Sequence, residues 1–442
     1  LALNRYVFLG TAVGALGGLL FGFDTAVIAG AEAALTAVYH LSARELGLTV
    51  SIALVGTVVG ALYSGSLGQR FGGRNMLRVM AVLYLLSSVG CAFSWSWPML
   101  LLARFFGGLG IGGCSVLGPV YIAELAPAHL RGRLVGMFQI NIVLGILLAY
   151  LSNFIVAQFH LGAAEWRWEL GIPAFPAATF WALLYMVPQS ARWLATQGHL
   201  QEARDTLEKL GSQNVSSELE ATLQAAHADA GHTEENLWQR RYRKPIFLAI
   251  AIGLFNQLAG INAILYYLNP IFAAAGFSKT SGDLQAVAIG AMNLAATFVA
   301  MTVIDRFGRR KLLLIGSVGM ALCLAGVALV FYTHSHTNLL LWLLMAYIAF
   351  FAASQGAVIW VYISEIFPTP VRSKGQALGS SAHWIMNAIL AGTFPVIAKV
   401  SGAAPFALFS AMMVLQFVAV YTSFPETKGR SLEDLQHILG TS

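Results

Sequence analysis

Apolar segments about as long as a bilayer is thick recur along the whole of this chain, and that recurrence restricts what it can fold into. They fall at about 6–33, 46–68, 75–95, 98–123, 134–157, 168–188, 245–274, 283–304, 311–332, 339–364, 374–398 and 403–424. A hydrocarbon core about 30 Å thick needs roughly 20 apolar residues per helical crossing, so twelve crossings are expected. Of 442 residues, 57% are hydrophobic and 10% charged, too few charges to clothe a soluble domain of this size. In lipid every backbone polar group has to be satisfied internally. The expected fold class is therefore an all-α polytopic membrane protein.

The formal net charge of +6 does not point to nucleic acid. The one basic block of any length, Arg240, Arg241, Arg243 and Lys244, stands directly before an apolar segment, where a membrane helix meets an anionic leaflet. Cys91, Cys114 and Cys323 lie inside apolar runs without metal-ligand spacing and read as small interior residues. No metal and no cofactor is expected. The first apolar run is glycine-rich and carries a carboxylate, so it reads as a permanent helix rather than a cleaved signal.

A polar stretch over 189–244 separates six segments from six. Within it Leu200, Ala203, Leu207 and Leu210 stand at helical spacing, the pattern of amphipathic helices lying on a membrane surface. The expected organisation is an N-terminal six-helix bundle over 1–188, a cytoplasmic helical linker over 189–244, a C-terminal six-helix bundle over 245–424 and a cytoplasmic segment over 425–442. With both termini cytoplasmic, only Arg44, Arg167, Lys279 and Lys399 among the basic residues fall outside, and Arg104 lies within a span. The positive-inside rule selects this orientation.

The two halves repeat each other. Arg70-Phe71-Gly72-Gly73-Arg74 follows the second span and Arg306-Phe307-Gly308-Arg309-Arg310 the eighth. Tyr121-Ile122-Ala123-Glu124 ends the fourth span and Tyr362-Ile363-Ser364-Glu365 the tenth, each glutamate followed by a proline (Pro127, Pro368) and an arginine (Arg131, Arg372). Pro188-Gln189-Ser190 closes the sixth span and Pro425-Glu426-Thr427 the twelfth. All three pairs are 236 to 241 residues apart. Parallel repeats of this kind imply a central cavity that opens alternately to each side. The repeated charges Arg74, Glu124 and Arg131, with Arg309, Glu365 and Arg372, sit at cytoplasmic helix ends and can form ion pairs that latch that side. Anchoring to lipid headgroups would not account for the glutamates.

An enzyme finds no support: no triad arrangement, metal cluster or phosphate-cradling loop is present. The run Gly107-Gly108-Leu109-Gly110-Ile111-Gly112-Gly113 could be mistaken for a dinucleotide loop. It lies within a span with no preceding strand, and reads instead as a surface for close helix packing.

The motifs together resemble the sugar porter family of the major facilitator superfamily, which includes bacterial proton-coupled sugar symporters and animal facilitative glucose transporters. The resemblance covers essentially the whole chain. Beside the repeats above it rests on Gly65 through Arg74, Arg104, Pro188-Gln189-Ser190-Ala191-Arg192-Trp193-Leu194, Gln257-Leu258-Ala259-Gly260-Ile261-Asn262, Asp305-Arg306-Phe307-Gly308-Arg309-Arg310 and Pro425-Glu426-Thr427-Lys428-Gly429-Arg430. Gln69, Gly73 and Gln189 depart from the usual residues and weaken the N-terminal copy of the gate.

This resemblance implies a major facilitator fold of twelve transmembrane helices in two six-helix bundles. It also implies monosaccharide transport by a protein that acts as a monomer in the cell membrane, here a bacterial inner membrane. The sugar ligands it implies are Gln139, Asn256, Gln257, Asn262, Asn293, Trp360, His383, Trp384 and Asn387, with Tyr266 and Tyr267 closing the outer side as span seven breaks and bends. The chemistry agrees with the residue types. Amides match hydroxyls without carrying charge, and an unpaired amide in an apolar bundle is costly. Each Gln or Asn could instead be an ordinary helix–helix contact. Asn256 stands where relatives have glutamine, shortening one amide by a methylene, and His383 stands where they often carry Asn or Gln.

Asp24 lies in the middle of span one, and an ionisable residue there is functional by default. The other mid-membrane charge is Arg104. In proton-coupled relatives an aspartate at the first position faces an arginine at the second, so protonation of Asp24 would break the pair and free the helices to move. The alternative is a facilitative uniporter in which Asp24–Arg104 is a structural salt bridge. The lack of a further carboxylate near Ala174 in span six favours that alternative. A non-transporting sugar sensor would carry long terminal extensions, whereas the sequence stops shortly after Ser431-Leu432-Glu433. A polyol transporter is also compatible, while an organic anion would want a second basic residue in the cavity.

Overall fold

The computed structural model describes residues 4–439 apart from 128–129, 213, 232–235, 369–370, 430–434 and 436–437, and the side chains of 222, 225–231, 303–305 and 373 are likewise left aside. Arg430, Ser431, Leu432, Glu433 and the Asp305 side chain thus lie outside the described residues.

The elements in the N-terminal half are α1 (Arg5–Tyr39), α2 (Ala43–Phe71), α3 (Gly73–Ala92), α4 (Trp97–Leu125), α5 (Arg131–Gln158), α6 (Glu165–Gly171) and α7 (Ala174–Leu183). The polar stretch supplies α8 (Ala191–Thr196), α9 (Leu200–Lys209) and α10 (Val215–Gly231). The rest form α11 (Arg243–Leu258), α12 (Ile261–Tyr266), α13 (Leu268–Ala274), α14 (Lys279–Phe307), α15 (Arg309–Thr333), α16 (Leu340–Phe351), α17 (Ala357–Ile366), α18 (Arg372–Val400) and α19 (Ala404–Ser423). The protein is an all-α, multi-pass membrane protein of the major facilitator type.

Among the described residues 11 stretches are long and apolar enough to cross a membrane, one fewer than the twelve expected. The missing one is the sixth, expected over 168–188, where the chain forms the two short helices α6 (Glu165–Gly171) and α7 (Ala174–Leu183). Pro173 lies at the junction, and proline removes a backbone donor and crowds the preceding turn. Ile172 and Pro173 keep right-handed helical angles, so the crossing is interrupted rather than lost.

The chain divides into two compact units. The first comprises Leu1–Val27, Ile52–Ser152 and Ala164–Thr233. In it α3 packs against α4, α6 and α7, around Leu77, Met80, Tyr84, Ile111, Phe180 and Leu184. A Cβ on Gly108 would overlap the carbonyl oxygen of Ala53, and one on Gly112 that of Thr57. The glycine run of α4 is therefore a seam that lets α2 approach backbone to backbone, as small residues do in membrane helices. In the linker, Ser190 caps α8 by accepting the Trp193 N–H at 3.2 Å, and Ala191, Leu194, Ala203 and Leu207 share a small apolar core.

The second unit comprises Ile28–Ser51, Asn153–Ala163 and Glu234–Ser442. Here α15 lies on α19 and α11 on α18, around Leu248, Ile252, Leu313, Ile359, Tyr362 and Phe367. Two of its crossings are irregular. The seventh breaks at Gly260, whose φ of +86° lies in the left-handed region that a side chain disfavours. The tenth widens into a π-turn over Ala352–Gly356 between α16 and α17, a form that recurs at functional sites.

Candidate functional site

In the first unit Asp24 of α1 accepts a hydrogen bond of 3.4 Å from the hydroxyl of Tyr84 on α3. Arg104 of α4 lies within electrostatic reach of both, with Cys91 beside it. Arg104 is 5% exposed and Tyr84 2%, so a carboxylate, a phenol and a guanidinium meet where water is scarce. Such a group can hold a proton or a charge pair, and changing one changes the other. Gln139, on α5 of the same unit, is half-buried.

The second unit gathers most of the other expected ligands. Asn256 and Gln257 end α11, Asn262 opens α12, Trp360 lies on α17, and His383, Trp384 and Asn387 lie on α18. The Gln257 side chain is the hub. Its Nε2 donates to Asn256 Oδ1 at 3.2 Å and lies 3.3 and 3.1 Å from the two ring nitrogens of His383, while its Oε1 accepts from Asn262 Nδ2 at 3.2 Å. The break at Gly260 makes the last contact possible, because it brings the first turn of α12 back toward the end of α11.

The imidazole of His383 lies near two indoles, its ring centre 5.2 Å from that of Trp360 and 5.0 Å from that of Trp384. Asn387 is fully buried; its Nδ2 donates to the Tyr266 hydroxyl at 3.2 Å, and its Oδ1 has no hydrogen-bond partner among the described residues. Tyr267 donates to the Ala391 carbonyl at 2.7 Å and stacks on Phe394, so both tyrosines of the pair are held by α18. Asn293 is buried on α14. Amide donors and acceptors, one imidazole and two flat aromatic faces are the groups that suit a small neutral polyhydroxylated ring.

The described partners of the repeated charges at the helix ends differ between the two copies. Arg309 Nη2 pairs with Glu365 Oε1 at 3.0 Å, and Thr427 donates to Glu365 Oε2 at 2.6 Å. Glu426 accepts from the backbone N–H groups of Arg309, Arg310, Thr427 and Lys428. In the N-terminal copy Arg74 instead donates to the Val187 carbonyl at 3.0 Å, Arg131 to the Ala123 carbonyl at 3.1 Å, and Glu124 lies beside Ser190 and Arg192. Arg372 donates to the Phe367 carbonyl at 3.3 Å.

A family model described as sugar (and other) transporter matches residues 10–439. The chain belongs to the sugar transporter family. It is 35% identical over 475 residues to a D-xylose-proton symporter of Escherichia coli, covering 98% of this chain and 96% of that one. It is 36% identical to a D-xylose transporter of Levilactobacillus brevis over 96% of this chain and 94% of the other. Among solved structures it is similar to the inward-open conformation of the xylose transporter XylE from E. coli, with a TM-score of 0.87 and 34% identity over 98% and 100% of the two chains. It is similar also to the proton:xylose symporter bound to 6-bromo-6-deoxy-D-glucose, with a TM-score of 0.80 and 34% identity over 99% and 100%. The family is one of transporters, not enzymes.

For this sugar-family transporter, three polar residues of the structure escaped the reading of the sequence. Tyr84 is a tyrosine in an apolar run, and nothing in its spacing marks it as the partner of Asp24. Gln355 and Gln416 are buried glutamines on either side of a helix contact, hydrogen-bonded to each other. A search for polar residues in spans ten and twelve would have found both.

Proposed function

We propose that this protein carries a monosaccharide such as D-xylose or D-glucose across the membrane together with a proton, by alternating access. The observation that carries the sugar half is the buried Gln257 hub, flanked by His383, Trp360 and Trp384 and joined to Asn256 and Asn262. In this reading these residues, with Gln139, Asn293 and Asn387, bind the sugar, and Tyr266 and Tyr267 close its outer side. Asp24 with Arg104 carries the proton, a role supported by the burial of Arg104 and Tyr84 beside a half-buried Asp24 and by the Tyr84 hydroxyl, which helps hold the carboxylate.

On the cytoplasmic side Arg309, Glu365 and Arg372, with Arg74, Glu124 and Arg131, form the gate. The working organisation is a bundle over 1–188, a linker over 189–244, a bundle over 245–424 and a tail over 425–442. The protein works as a monomer in the cell membrane, a bacterial inner membrane, with both termini cytoplasmic, and it has no business with nucleic acid. Uptake of labelled D-xylose, D-glucose and D-galactose, each into proteoliposomes with and without a pH gradient, tests the proposal. Uptake indifferent to the gradient would make the protein a uniporter, and no uptake of any of the three sugars would overturn the sugar assignment.

A further inference from the structure

The amides around Gln257 are not isolated. A continuous polar line runs from α19 to α12. Gln355 Nε2 donates to Gln416 Oε1 on α19. The backbone carbonyl of Gln355, inside the π-turn of the tenth crossing, accepts from Asn256 Nδ2 at 3.4 Å. Asn256 Oδ1 accepts from Gln257, and Gln257 Oε1 accepts from Asn262. Gln355 and Gln416 are both essentially fully buried, and the bond between them satisfies one donor and one acceptor where water is scarce.

The direction of that line follows from one atom. A side-chain amide can be drawn either way round, but a backbone carbonyl can only accept. Asn256 therefore turns its NH2 to Gln355 and its oxygen to Gln257. Gln257 then has to present NH2 to Asn256 and its oxygen to Asn262. The same NH2 faces the His383 ring, which consequently supplies a lone pair there and stays neutral in this arrangement.

We infer that Gln355 and Gln416 are positioning residues: by holding the π-turn they orient its carbonyl, and so fix which amide atoms are donors and which acceptors in the sugar site. The inference rests on the sugar reading above for its consequence, though not for the geometry. Loosening the tether lets Asn256 and Gln257 rotate between orientations. The affinity for a sugar falls, and the preference among sugars differing by one hydroxyl changes with it.

The test uses Gln416→Met and Gln355→Met, which keep side-chain length and remove the amide pair. Equilibrium binding of D-xylose and of its single-position deoxy analogues is measured on purified protein of matched thermal midpoint. Each variant is expected to bind D-xylose about three- to tenfold more weakly, the scale of one lost hydrogen bond, and to alter the ranking of the analogues. In an Asn256→Ala background, where the line is already cut, the same variants should have no further effect. An undiminished effect in that background, or unchanged affinity and ranking in both variants, overturns the inference. A sugar-free readout separates it from the sugar reading: imidazole ¹⁵N spectra, with His383 assigned by His383→Gln. Gln416→Met should move the His383 signals. If they stay, the inference falls even where the protein binds sugar; if they move while the protein binds no sugar, the positioning stands and the sugar reading fails.

Discussion

The carboxylate of Glu426 accepts the backbone N–H of Arg309 at 2.9 Å, and that of Arg310 at 3.1 Å, closing the first turn of α15 from the far end of the C-terminal half. In the other half Gln189 takes the same place, its Oε1 accepting the Arg74 N–H at 3.3 Å at the start of α3. The two arrangements differ by one charge. An anion at a helix N-terminus contributes about 0.3–1 kcal/mol, and up to about 2 where partly buried. Glu426→Gln should therefore lower the stability of the folded protein by about 0.5–2 kcal/mol, and Gln189→Glu should raise it by a smaller amount. Thermal unfolding in one detergent compares them; identical midpoints for Glu426→Gln and the parent would leave the charge without a role.

The Arg309–Glu365 pair is the ion pair of the proposed cytoplasmic gate that the C-terminal copy forms, and Thr427 holds its second oxygen. Glu365→Ala should leave Arg309 without that partner and increase access from the cytoplasmic side, with the sugar residues themselves untouched. Labelling of single cysteines placed at the cytoplasmic mouth reads this directly. Wild-type labelling rates in Glu365→Ala and Arg309→Ala alike would reduce the pair to an anchor.

Gln257→Ala removes the hub that joins Asn256, Asn262 and His383. Each amide–hydroxyl bond lost from a dry pocket is worth about 1–3 kcal/mol, so the affinity for D-xylose should fall about tenfold or more, while the yield of folded protein changes less. Gln139→Ala should weaken binding as well. A Gln257→Ala protein that binds normally at equilibrium would take this residue out of contact with the sugar.

Asp24→Asn imitates the permanently protonated carboxyl. It should still exchange sugar across a membrane in counterflow, and lose both accumulation driven by a pH gradient and proton uptake on adding sugar. The neutral amide also leaves Arg104 less well compensated, so folded yield is measured alongside. Tyr84→Phe removes the hydroxyl that donates to Asp24 and should change the pH dependence of coupled uptake while sparing counterflow. Full gradient-driven accumulation by Asp24→Asn would move the coupling to another group, His383 first among them.

The crossings were readable because hydrophobic length alone specifies them, and the paired motifs because a duplicated sequence repeats in register. The sixth crossing reads as continuous from composition, since Pro173 changes the backbone path and not the hydropathy. Asp24, Arg104 and Gln257 were visible as polar residues out of place in lipid. Their surroundings were less so. Tyr84 and Cys91 reach Asp24 and Arg104 across helices, and the π-turn at Ala352–Gly356 shifts Gln355 off the ordinary helical period by which facing residues are counted. The different partners at the starts of α3 and α15 had a trace in the sequence, in Gln189 against Glu426. The bond from Arg74 to the Val187 carbonyl had none.

The imidazole near Trp360 and Trp384 makes this region its own optical probe. Indole emission responds to the polarity around the ring and to quenching groups in contact with it, and His383 touches both indoles while it faces Gln257. A ligand that draws Gln257 away, or slides over either indole, changes the surroundings of two fluorophores at once. Occupancy could then be followed from intrinsic fluorescence in unlabelled protein, with Trp360→Phe and Trp384→Phe dividing the signal between the two faces.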